Sequence, residues 1–82
     1  GELLVMAANM AFHRGEPAKA EHLVREALKY QCDRDEAYGN LGGYLASQRR
    51  FAEACDAFRE VLKIDPENDH AREWIEDLEQ VS

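Results

Sequence analysis

Basic side chains are scarce in this chain. Ten Lys and Arg stand against seventeen Asp and Glu, a formal net charge of −7. That is the wrong sign for gripping phosphate backbones, so nucleic acid is not an expected partner. Long apolar runs are missing too. The most apolar stretch, Leu3 to Phe12, is broken by Asn9 and falls well short of the ~18 consecutive apolar residues of a membrane-crossing helix. It also lacks the basic flank and cleavage pattern of a secretory leader, and no membrane partner is expected. Cysteine is limited to Cys32 and Cys55, too few for a disulfide framework, which favours a reducing, cytoplasmic compartment. With 82 residues, a single domain buries only about 60–65% of its unfolded surface. A deep enclosed cleft is therefore not expected, and function belongs on a surface. The start on Gly1 rather than Met points to a piece of a longer protein.

Catalytic and metal-binding patterns are absent as well. There is no nucleophile elbow, no phosphate-cradling glycine loop and no helical pair of metal-binding histidines, so neither an enzyme nor a cofactor is expected. His13, His22, His70, Cys32 and Cys55 are dispersed without paired ligand spacing. Asp65, Glu67, Asp69 and Glu76 have a faint calcium-loop spacing, but His70 stands where that loop needs glycine for its sharp turn. Cys55, between Ala54 and Phe58 on an apolar helix side, reads as a buried packing residue. Cys32 falls in a turn and reads as an exposed ordinary thiol.

What the chain does contain is a repeat. Shifted by 34 residues, it aligns with itself at seven identities, six of them in the second half of the unit: Ala18/Ala52, Ala20/Ala54, Arg25/Arg59, Glu26/Glu60, Leu28/Leu62 and Lys29/Lys63, beside Glu2/Glu36. Apolar pairs Val24/Phe58, Ala27/Val61 and Tyr30/Ile64 keep the same register.

Within each unit the periodicity is helical. Ala20, Leu23, Val24, Ala27 and Leu28 form one stripe on a helix starting near Pro17, whose missing N–H suits a first helical position. Gly15 can close the preceding helix, about Glu2 to Arg14, in a left-handed conformation. The second unit repeats the plan: Asp35 as N-cap, a helix to about Gln48, a turn at Arg49-Arg50, and a helix from about Phe51 to Ile64, stopped by Asp65-Pro66. A fifth helix starts near Asn68 or Asp69. It carries Ala71, Trp74, Ile75 and Leu78 on one face and charge on the other, as a lid would. The expectation is an all-α fold in one domain, residues 1–82: repeat one at 1–34, repeat two at 35–68 and a capping helix at 69–82.

These residues resemble the tetratricopeptide repeat. Its pattern W-x2-L-G-x2-Y, A-x3-F, P is followed by Tyr38 in place of W, Leu41, Gly42 and Leu45 in place of Y, then Ala54 and Phe58, then Pro66. Gly42 and Ala54 are small where two helices must approach closely, and Tyr38, Leu41, Phe58 and Leu62 are bulky fillers. The first unit is looser, with Leu4, Ala7, Ala8 and Ala11 in place of larger family residues. The resemblance implies five helices stacked as a right-handed superhelix of antiparallel helix-turn-helix units. It further implies a protein–protein interaction module that holds a peptide or helix of a partner in a concave groove. By carry-over the groove positions are Glu2, Val5, Met6, Asn9, Phe12 and His13 in the first unit, and Glu36, Gly39, Asn40, Gly43, Ala46 and Ser47 in the second. His70, Glu73, Trp74 and Asp77 correspond in the cap. One subclass clamps the C-terminal carboxylate of chaperone tails with two asparagines and three cations. Asn9 and Asn40 match the asparagines, but Val5, His70 and Trp74 replace the cations. A carboxylate loses its charge-assisted bonds there, and that ligand is not expected.

Three features stand outside the pattern. Gly39 and Gly43, one turn apart on the inner face, read either as a bare floor for a partner's backbone or as tight packing or a tolerated helix defect. The first helix is apolar nearly all round, so a further repeat, a partner or a second copy is expected against it; self-association without a peptide ligand is the alternative function. Charge gathers toward the end: net zero over 1–34, −3 over 35–68 and −4 over 69–82. It reads as a solvated outer surface, with steering of a basic partner as the functional alternative.

Overall fold

Left-handed residues close two of the turns. A computed structural model describes residues 2–30 and 34–81, and every element among them is helical: α1 Glu2–His13, α2 Pro17–Leu28, α3 Arg34–Ser47, α4 Phe51–Ile64 and α5 Asp69–Val81. Gly15, at φ 80°, ends α1. Its N–H bonds to Phe12 O at 3.0 Å while Glu16 N–H reaches Ala11 O at 3.0 Å, the paired bonds of a Schellman motif. Thirty-four residues on, Arg49 does the same at φ 62°, with Arg49 N–H on Ala46 O and Arg50 N–H on Leu45 O, both at 3.0 Å. A side chain in that region costs about 1–2 kcal/mol, and glycine escapes the penalty. Arg49→Gly is therefore expected to raise the unfolding free energy by about 1 kcal/mol, read as a higher urea midpoint at unchanged slope.

The remaining ends follow from local chemistry, with one correction. Pro17 occupies the first turn of α2. Asp65, held extended before Pro66 at φ −135° and ψ 89°, stops α4. Asn68 caps α5, its Oδ1 accepting the Ala71 N–H at 3.0 Å. Asp35 is not the N-cap of α3, because the helix already begins at Arg34. Asp35 lies inside the first turn, where an acid suits the helix dipole, and its carboxylate accepts the Glu36 N–H at 2.9 Å.

Each helix packs on its neighbours in sequence, and α1 also meets α3. Alanines make the close approaches: Ala8, Ala20, Ala27, Ala37 and Ala54 are wholly buried. Phe58, Val24, Leu45 and Val61 are the large residues filling the space between them. Gly42 and Phe58 are one such fit, since a Cβ added to Gly42 would lie 2.6 Å from the Phe58 ring. Of the other motif residues, Leu41 is buried, Tyr38 is half-buried against the core and Pro66 is exposed.

Polar side chains tie α2 to the turn between α3 and α4. Glu21 accepts from Arg50 Nη1 at 2.6 Å, Gln48 Nε2 at 3.1 Å and Arg25 Nε at 3.0 Å. Burial pushes its carboxyl up, but the bonds from Gln48 and Arg25 and the Arg50 charge outweigh that and hold it below its ordinary value.

Candidate functional site

The carried-over positions lie on α1, α3 and α5, and each helix leaves a different share of them uncovered. On α1, Asn9 is half-buried and its Oδ1 accepts the hydroxyl of Tyr44 from α3. Tyr44 is 3% exposed, and burial raises its pKa. Phe12 lies beside it, ring centroids 4.9 Å apart. Tyr44 thus anchors α1 to α3, a role that nothing in the repeat pattern singles out. Val5 is a correction. At 8% exposed it belongs to the core, because α1 turns that side inward with Ala8 and Ala11. Met6 and His13 are exposed; the side chain of Glu2 and the whole of Cys32 lie outside the described residues.

On α3, Glu36 and Ser47 are exposed and Gly39, Asn40, Gly43 and Ala46 half-buried. The Ser47 hydroxyl bonds its own helix, donating to Tyr44 O at 2.7 Å. Nothing lies within 4 Å of a Cβ added at Gly39 or Gly43. Tight packing is thereby eliminated as the reason for these two glycines, and the α3 surface above them is bare.

On α5, Trp74 stacks on Phe58 from α4 at 5.2 Å and 10°, and its Nε1–H donates to His70 Nε2 at 3.1 Å. His70, Glu73, Trp74 and Asp77 line a recess of about 220 Å³. A second cleft, of about 240 Å³, runs between α3 and α5. Glu36, Gly39, Asn40 and His70 form its walls, with Asp35, Asn68 and Ala71, over a floor of Phe58 and Val61. Carry-over by spacing missed Asp35 at the start of α3, Asn68 in the turn before α5, Ala71 on α5 and the floor residues of α4.

Among the described residues, one buried polar side-chain atom of this cleft has no hydrogen-bond partner: Asn40 Nδ2. Such a group costs about 1–3 kcal/mol until an acceptor arrives. Cys55 lies elsewhere, 5% exposed, and burial raises its thiol pKa, away from nucleophilic use. Among the described residues no helix is long and apolar enough to cross a membrane.

The outward side of α1 has a different character. Leu3 and Met10 are 81% and 57% exposed and lie two turns apart, with Met6, a carried-over groove position, between them at 61%. Thirty-four residues on from Leu3 and Met10, α3 carries Ala37 and Tyr44, 0% and 3% exposed.

A family profile described as Tetratricopeptide repeat matches residues 5–69. No curated protein matches the chain.

Proposed function

Given that the chain belongs to the tetratricopeptide repeat family, whose members are typically non-catalytic protein–protein interaction modules, we propose that it holds an extended or helical segment of a partner protein on the face shared by α1, α3 and α5. The observation that carries this reading is the orphaned Asn40 Nδ2 in the cleft beside the bare Gly39. Turned toward the cleft, the half-buried Asn40 side chain would find an acceptor in a backbone carbonyl of the bound segment, and the absent Cβ atoms at Gly39 and Gly43 let a main chain come close. With no Lys or Arg at the groove positions, carboxylate-ended tails lack a counter-charge.

Asn40→Ala separates binding from folding. Stability is expected to hold or rise by up to about 1 kcal/mol, since an orphaned donor leaves and helix propensity improves. Affinity for a partner segment is expected to fall about five- to tenfold, the loss of one hydrogen bond, by titration calorimetry. Unchanged affinity would remove Asn40 from the site.

The exposed Leu3 and Met10 favour a second reading, self-association or array continuation through α1. A concentration-dependent sedimentation coefficient that Met10→Glu abolishes supports it. A monomer at all concentrations removes self-association.

A further inference from the structure

The groove positions are uniform in charge. No lysine or arginine occurs at any of them, while Glu36, Glu73 and Asp77 do. The outer helices are treated differently: Glu26 on α2 and Glu60 on α4 pair with Lys29 and Lys63 at 3.1 and 2.9 Å. Among the described residues no such ion pair reaches Glu36, Glu73 or Asp77. Two of these carboxylates flank Trp74 in one recess, and Trp74, stacked on Phe58, is held in place. A fixed indole between unpaired carboxylates offers a guanidinium or ammonium both charge pairing and a cation–π contact. Half-buried Asn40 stands in the adjoining cleft, which shares His70 with this recess.

We infer that the segment taken up on this face is cationic: a stretch of a partner protein carrying arginine or lysine, its basic side chains against Glu36, Glu73, Trp74 and Asp77 and its backbone over Gly39 and Asn40. This rests on the groove reading above and names the chemistry of its occupant. The acidic excess of the chain is then in part a recognition feature, and charge steers the encounter as well as holding the complex.

Trp74 is the single tryptophan of the chain and lies on this face, so its fluorescence reports occupancy directly. Synthetic peptides of equal length alternating alanine with arginine, glutamine or glutamate are titrated against the whole chain. The arginine peptide is expected to change Trp74 emission and to bind about tenfold more tightly than the glutamine peptide, with the advantage shrinking as salt rises. Glu73→Gln with Asp77→Asn should remove most of that advantage. Glu26→Gln with Glu60→Gln, the same charge change on α2 and α4, should leave it within about twofold. Equal loss in both pairs, or a glutamine or glutamate peptide that binds as well as the arginine one, overturns the cationic assignment. Gly39→Gln, which fills the open floor, distinguishes the two levels. If it abolishes binding of an uncharged peptide, the groove stands without its charge preference. If no peptide's binding responds to it, the groove reading fails as well.

Discussion

Gly42→Ala is expected to destabilise the domain, although alanine is the better helix former by about 1 kcal/mol. The new Cβ would sit 2.6 Å from Cε2 and Cζ of Phe58 and 2.9 Å from its Cδ2. The ring cannot simply swing away, being 2% exposed and stacked on Trp74 at 5.2 Å. Overpacking of this kind costs about 1–3 kcal/mol, occasionally more, leaving a net loss of up to about 2 kcal/mol after the propensity gain. Gly39 and Gly43 are the internal controls. Their Cβ positions are open, so Gly39→Ala and Gly43→Ala should each gain about 1 kcal/mol. Urea unfolding of the three variants side by side checks the sign. A gain at Gly42 would mean that α3 and α4 separate more easily than the contact implies.

Phe58→Ala carries the larger loss, about 3–5 kcal/mol. That is a large part of the 5–15 kcal/mol by which domains of ordinary stability fold. The ring fills the space above Gly42, floors the α3–α5 cleft and supports Trp74. Its removal should therefore move three observables together: a lower urea midpoint, altered Trp74 fluorescence and weakened segment binding. The pair with Gly42 sharpens the test. In a Phe58→Ala background the clash is gone, so Gly42→Ala should turn from a loss into a gain. A coupling of about 1–3 kcal/mol is expected in the double-mutant cycle. Additive effects would show that the ring and the glycine do not limit one another.

Both effects act where the repeat pattern is most legible. The spacing of Tyr38, Leu41, Gly42, Ala54 and Phe58 identifies a small-residue contact between two helices, because helical periodicity puts those residues on facing sides. The site was less legible. Register with the family proposes groove positions for Asn9, Glu36 and Asn40. Val5 could not be distinguished from them, since register along a helix leaves open how far the helix is rolled against its neighbours, and α1 is rolled so that Val5 is buried. Tyr44 shows the same limit from the other side. Nothing in its spacing says that its hydroxyl will meet Asn9, thirty-five residues away.

Determined by sequence alone were those features whose causes are local: five helices, the ends imposed by Gly15, Pro17 and Pro66, and the 34-residue unit with its alternation of small and large apolar residues. Each rests on backbone sterics or on the 3.6-residue period, which act within a turn or two. Tertiary structure decided the surroundings of each exposed or small residue. Gly39, Gly42 and Gly43 are chemically identical and nearly adjacent, yet one is closed by Phe58 and two are open. Asn40 is orphaned while Asn9 is bonded, and Glu73 and Asp77 flank an aromatic ring while Glu26 and Glu60 are neutralised by the next turn. These differences come from which helix crosses in front of each position and how closely. That is fixed only when all five helices pack at once.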